Sequence, residues 1–147
     1  MPKERGLAVT AAKCVFCAII RGEVPACFVG EHEGVCAFLD ARPLFPGHVL
    51  VLPREHHETL ADLPPEEVPR LFAAVQRVAR AVETGLAADG TFVAMNNRVS
   101  QSVPHLHVHV VPRRKGDGLK GFFWPRHKYA SDDEMRAIGA RITAALR

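Results

Sequence analysis

His105-Leu106-His107-Val108-His109-Val110-Val111-Pro112-Arg113 carries histidine on three alternate residues, with apolar residues between them. A period of two is that of a β-strand, so the three imidazoles are predicted to leave one face while Leu106, Val108 and Val110 enter the core from the other. Along such a strand the rings stand about 7 Å apart. A neutral imidazole is costly to bury without a partner, and it serves as metal ligand, nucleophile or proton carrier. A solvated strand face or a His-x-His metal pair would explain one or two such residues. Strict alternation of three points to a built site.

Working outward, Asn96-Asn97-Arg98-Val99-Ser100-Gln101-Ser102-Val103 forms a polar loop leading into the histidine strand, rich in donors suited to phosphate oxygens. Asn and Ser suit an ordinary turn equally well, so the loop gains meaning only from its neighbour. Thr91–Asn96 reads as a strand before it. Farther upstream, Leu71, Val75, Val78, Val82 and Leu86 recur at helical spacing; Pro64, Pro65 and Pro69 mark the approach and first turns, and 87–90 the close. Ala26–Gly30 and Val35–Asp40 read as a hairpin about the polar turn Glu31-His32-Glu33-Gly34, and His48–Leu52 as a strand between Pro46-Gly47 and Pro53. Downstream, Ser131 and Glu134 form a capping box before Met135, Ile138, Ile142 and Leu146, an amphipathic C-terminal helix. Strands in sequence around one long helix predict an α+β fold with an antiparallel sheet. The long segment Arg113–Tyr129, with Phe122, Phe123 and Trp124, is predicted to be a functional loop or an interface.

The 147 residues suit one domain, expected over 14–147 after a flexible N-terminal arm, 1–13. A net charge of +3 without basic runs fits a phosphate-bearing ligand and not a nucleic-acid binder. No apolar stretch approaches a membrane span, and Met1–Lys13 lacks the apolar run of an export signal. Four cysteines without such a signal favour a reducing compartment, so the chain is expected to be cytoplasmic. Cys27 and Cys36 lie in strand-like runs and are expected in the core. Cys14-x-x-Cys17 has instead the spacing of half a tetrahedral zinc site, to be completed by His56 or His57 and by His105.

The triplet His105-Leu106-His107-Val108-His109-Val110-Val111 resembles the signature of the histidine-triad (HIT) superfamily of nucleotide hydrolases and transferases. The likeness extends over residues 14–113 through Cys14-Val15-Phe16-Cys17-Ala18-Ile19-Ile20, Phe38-Leu39-Asp40 with Pro43, Pro46-Gly47-His48-Val49-Leu50-Val51-Leu52-Pro53 and Gln101-Ser102-Val103. It is nearest the Hint-like and bacterial branch. The resemblance implies a dimer-forming HIT-like fold with a long central helix and a C-terminal helix. It implies hydrolysis at the α-phosphate of a purine nucleotide conjugate, a nucleoside phosphoramidate or a dinucleoside polyphosphate, through a nucleotidyl-histidine. Within the superfamily, transfer or phosphorolysis is the alternative; a non-catalytic nucleotide sensor is another.

By the same resemblance His107 is the nucleophile, and His109 and His48 orient it and the neighbouring phosphate. Gln101 and Ser102 contact the phosphate and leaving group, with Asn96 or Asn97 nearby. Asp40 meets the ribose hydroxyls, and Val15, Phe16, Ile19 and Phe38 form the purine slot. Cys14, Cys17, His56 and His105 hold a structural Zn2+, His56 being preferred to His57. Trp124, in a Trp-Pro segment, reaches a partner's site in Hint-like dimers. The chain departs from the family at Arg98, Val99 and Ser100, where glycines are common, and at Pro104.

Overall fold

The computed structural model describes residues 10–120 and 126–146. The chain divides into two compact units, one ending at Asp117 and one beginning at Gly118. In the first, β1 (Phe28–His32), β2 (Val35–Leu39), β3 (Val49–Pro53), β4 (Gly90–Ala94) and β5 (Val108–Arg113) form one antiparallel sheet in the order β1-β2-β3-β5-β4. Two α-helices accompany it, α1 (Val15–Ile20) and α2 (Val68–Leu86).

Alternation along the strands sorts their side chains between two cores. Val35, Ala37, Val49, Val51, Val108 and Val110 pack with Leu71, Val75 and Val82 of α2. Cys36, Phe38, Leu50 and Leu52 pack on the opposite face with Phe16, Cys17 and Ile19 of α1. Coverage of both faces explains why β2 and β3 read as unbroken apolar runs. Each fully buried Val or Leu stabilises the fold by about 1.5–3 kcal/mol. The register sets Leu50 of β3 and Ala94 of β4 on either side of His109.

Element boundaries differ from the sequence expectation for identifiable reasons. Glu33 and Gly34 both take positive φ, 49° and 77°, forming the two-residue turn that matches strand twist, so β1 runs on to His32. Cys27 lies outside β1 and is exposed, contrary to its expected burial, whereas Cys36 is in the core. The strand β1 forms the sheet edge, has an irregular register between Phe28 and Gly30, and is exposed throughout. The histidine strand joins the ladder only at Val108, so His105, Leu106 and His107 precede it: the Leu106 amide donates to the His57 carbonyl (2.7 Å), and the His105 amide to that of Val103 (2.8 Å). Leu106 nevertheless joins the α2-side core, so the predicted alternation of faces survives outside the ladder.

Gly47, at φ +98°, precedes His48 where the turn runs against the end of α2; a Cβ there would collide with Leu86 Cδ1. Only glycine meets both demands. Leu86 is thus half-exposed against this turn and not a core residue, and α2 stops at Ala87 in the left-handed region, φ 51°. Of the expected N-terminal arm, Met1–Val9 lie outside the described residues, and Ala11–Lys13 form a 3-10 turn.

The second unit contains α3 (Asp132–Ala145), capped by Ser131, whose Oγ accepts the Glu134 amide (3.1 Å). Glu134 closes the cap on the Ala130 amide (2.6 Å), one residue before the expected position. Met135 and Ile142 are exposed. Among the described residues no helix is long and apolar enough to cross a membrane.

Candidate active site

Cys14 occupies the N-cap of α1, where its Sγ accepts the Cys17 amide at 3.5 Å. This short helix, absent from the sequence expectation, turns both sulfurs toward His56 and His105. His105 Nδ1 lies 3.5 Å from each sulfur, His56 Nδ1 lies 3.4 Å from Cys17 Sγ, and the two nitrogens are 3.2 Å apart. Zinc bonds of about 2.3 Å to sulfur and 2.0–2.1 Å to nitrogen, at tetrahedral angles, give edges of about 3.6 Å and 3.4 Å. The four residues fit zinc. His105 Nε2 donates to the Pro53 carbonyl (2.8 Å), which leaves Nδ1 bare for a cation. Burial and the Cys14 neighbour push the Cys17 thiol up to about 11, and burial pushes His105 down to about 4. A bound cation would offset the cost of holding thiolates there. His57 is turned away, toward Glu55 and Glu67.

His107 is buried against the edge of Phe16, with ring centroids 5.0 Å apart. Its Nδ1 donates to the His105 carbonyl at 2.7 Å, so the proton is fixed on Nδ1 and Nε2 carries the free lone pair. A second set of tautomers follows from one backbone amide. Leu44 N–H donates to His48 Nδ1 (3.1 Å), which leaves the His48 proton on Nε2. That nitrogen faces His109 Nδ1 at 2.9 Å and donates to it, so the His109 proton sits on Nε2. The rings of His107 and His109 lie with centroids 4.9 Å apart, planes inclined at 66°, closer than the spacing of an ideal strand. One imidazole thus offers a lone pair beside another that offers a proton.

Asp40 flanks this pair. Its Oδ1 accepts the Arg42 amide (2.8 Å), and its Oδ2 lies 3.8 Å from His48 Nε2. Phe38 meets Phe16 edge-on at 5.5 Å, and Ile19 is buried in the same cluster. Val15 is half-exposed at the start of α1. These apolar residues and the histidines therefore share the α1 side of the sheet.

The polar loop is organised differently from expectation. Gln101 Oε1 accepts the Arg98 amide (2.8 Å) and its Nε2 donates to the Glu58 carbonyl (2.6 Å), so the side chain straps the loop to the 58–62 segment. Asn97 Oδ1 adds a bond to the Leu60 amide (2.8 Å). Ser102 and Asn96 are exposed. Arg98 and Ser100 take positive φ, 69° and 58°, at positions better suited to glycine. Trp124 lies outside the described residues.

Burial lowers the pKa of His48 and His107 and brings His109 down to about 4. Folding therefore favours their neutral forms. Their contribution to stability is complete above the ordinary histidine value of 6.5 and is lost as pH falls toward about 4. Thermal denaturation is expected to show a nearly constant Tm from pH 8 to 7 and a falling one from pH 6 to 4. A His109→Asn variant is expected to show a shallower acid limb; equal slopes would contradict the depressed His109 value.

The groups that fix these tautomers include main-chain atoms: the Pro53 and His105 carbonyls and the Leu44 amide. Sequence reading missed them, because every residue carries such groups. The nearest signal was the proline-rich turn at Pro43 and Pro46, which brings Leu44 back to His48.

A model of the HIT domain matches residues 21–116. An uncharacterised HIT-like protein of Mycobacterium tuberculosis is 44% identical over 138 residues, covering 90% of this chain and 92% of its own. The adenosine 5'-monophosphoramidase of Schizosaccharomyces pombe is 31% identical over 136 residues, covering 91% and 98% respectively. A zinc-bound histidine-triad family protein from Mycobacterium smegmatis superposes with a TM-score of 0.71 at 41% identity, over 93% of this chain and 100% of its own. By its sequence match, its sheet and its clustered histidines, the chain belongs to the HIT domain family.

Proposed function

We propose that the protein hydrolyses purine nucleotide conjugates at the α-phosphate, with His107 as nucleophile. The carrying observation is the hydrogen bond from His107 Nδ1 to the His105 carbonyl, which leaves an unprotonated Nε2 in a buried setting. The similarity to an adenosine 5'-monophosphoramidase supports the substrate class. Nε2 attacks the α-phosphorus as the bond to the leaving group breaks, and the His109 Nε2 proton is positioned for that departing group. Water then attacks the nucleotidyl-histidine, its proton passing to the His109 Nε2 vacated in the first step, and the P–N bond electrons return to His107. His48 holds the His109 tautomer through the Leu44 amide.

Val15, Phe16, Ile19 and Phe38 make the purine slot in this reading, and Asp40 accepts from the ribose hydroxyls. Ser102 and Asn96 are the exposed loop groups available to phosphate oxygens, while Gln101 and Asn97 hold the loop's shape. Cys14, Cys17, His56 and His105 hold a structural zinc that ties α1 to the histidine segment; a closed four-ligand set has no position for activating water. The unit is proposed to work as a cytoplasmic homodimer. The four free cysteines fit a reducing compartment, and the outer edge of β4 suits pairing between sheets.

Incubation with adenosine 5'-phosphoramidate, with and without inorganic phosphate, tests this directly. AMP is the expected product in both cases. ADP appearing with phosphate would make phosphate the acceptor, and no turnover would overturn the hydrolytic reading. Asp40→Ala is expected to weaken kcat/KM for the ribonucleotide substrate by about 10- to 100-fold while barely changing that for the 2'-deoxy analogue. Equal losses for both would remove Asp40 from the ribose.

A further inference from the structure

Phe28 is a large aromatic side chain left 46% exposed on the edge strand β1. Its position depends on an irregularity in the sheet. Pairing between β1 and β2 is regular from His32 to Gly30, which faces Ala37, but the next pair is Phe28 with Phe38. Two steps of β1 thus pass against one of β2, and Val29 is the extra residue, a β-bulge on the outermost strand. Beyond it the Leu39 amide donates to the Cys27 carbonyl (2.9 Å), so pairing resumes and holds the shifted register.

The shift decides which face Phe28 occupies, because side chains alternate along a strand. In β2, Phe38 belongs to the α1-side core, while Ala37 and Leu39 pack on the α2 side. In regular register Val29 would stand opposite Phe38, and Phe28 opposite Leu39, on the face away from the histidines. With the bulge, Phe28 meets Phe38 edge-on, with ring centroids 5.6 Å apart. Val29 instead lines a hollow on the α2 side with Ala37 and Val78. Bulges next to active sites commonly re-aim a side chain in this way.

Phe28 therefore ends a row of rings that starts at the histidines. Phe16 lies 5.0 Å from His107, Phe38 lies 5.5 Å from Phe16, and Phe28 follows Phe38. Phe16 and Phe38 are buried, and only the last ring opens to solvent. A bulge also blunts a sheet edge against unwanted pairing, but any residue at 28 would serve that purpose. An exposed aromatic ring continuous with a buried apolar slot is a platform on which a planar base stacks.

We propose that Phe28 is the outer wall of the base slot and stacks on the purine of a nucleotide whose α-phosphate lies at His107. The inference rests on the proposed nucleotide chemistry and adds to its slot one solvent-side ring, placed there by the bulge at Val29. Affinity for the nucleotide then depends on an aromatic side chain at position 28.

Calorimetric titration of the full-length, zinc-replete protein with AMP tests this. Phe28→Leu, which keeps an apolar side chain without the ring, is expected to weaken AMP binding by about tenfold, the scale of one base–aromatic stack. Phe28→Tyr should restore wild-type affinity. Val29→Ala, on the adjacent exposed apolar residue turned to the α2 side, should leave it unchanged. Thermal denaturation of each variant should match wild type, since neither residue is in the core. AMP bound equally well by wild type and Phe28→Leu would overturn the proposal and leave Phe28 as a cover for Phe38. A Phe28→Tyr protein as weak as Phe28→Leu would overturn it equally. Failure of the wild type itself to bind AMP is a different result, which would remove the nucleotide reading and this inference with it.

Discussion

His107→Ala is expected to lower turnover of adenosine 5'-phosphoramidate by about four orders of magnitude or more while leaving a folded protein that still binds the nucleotide. The size follows from the role: a residue that forms the covalent bond has no substitute, and only binding and positioned donors remain. The structural cost is smaller. The ring packs on Phe16 and His109 and makes one hydrogen bond to the His105 carbonyl. Removing it is worth roughly 1–3 kcal/mol, a modest fraction of a domain's stability. Steady-state kinetics paired with calorimetric nucleotide binding separates the two effects. Loss of binding in parallel with turnover would mean that His107 shapes the pocket and is not the nucleophile. His109→Asn provides the contrast, since it removes a proton donor but leaves the attacking nitrogen. Its loss is expected to be about 10²- to 10⁴-fold, and smaller for substrates whose leaving group needs no proton.

Cys17→Ser is expected to act in the opposite way, on stability and metal content before chemistry. Cys17 lies 3.4 Å from His56 Nδ1 and 3.5 Å from His105 Nδ1, within the four-residue cluster that could hold a metal ion. Loss of that ligand is expected to remove most bound zinc and to lower stability by roughly 4 kcal/mol, or about 10 °C in Tm for a chain of this size. The harm should spread through α1, because Cys14 and Cys17 join its cap to its first turn, and Phe16 between them meets both His105 and His107. Thermal denaturation with elemental analysis, on wild type with and without chelator, measures this. A Cys17→Ser protein that melts like wild type would show that packing in the α1-side core suffices to hold the segment and that metal contributes nothing there.

Much of the site was legible in the sequence because its chemistry rides on side chains with strong periodic or spacing signals. The alternation of His105, His107 and His109 gave their common face, and Cys14-x-x-Cys17 gave the two sulfurs of a cluster that could hold a metal ion. The α+β class followed from strand runs around the long period of α2. What stayed hidden depended on tertiary context. The helix α1 spans only Val15–Ile20, too short for a helical period, and its cap is a cysteine side chain. The bonds by which Gln101 straps Arg98 to Glu58 are announced by no local pattern. Cys27 looked like a core residue because it adjoins a strand-like run, but it lies just before the exposed edge strand β1. The tautomers of His48, His107 and His109 rest on a Leu44 amide and a His105 carbonyl, groups with no sequence signature.

The most direct measurement is intact-protein mass spectrometry after brief mixing with adenosine 5'-phosphoramidate and quenching without acid, on wild type and His107→Ala. An adduct of adenylyl mass on wild type, absent from His107→Ala, is the expected result and identifies the covalent nucleotidyl-histidine. AMP release by wild type with no adduct at any mixing time, or an adduct of equal yield on His107→Ala, would contradict covalent catalysis through this residue.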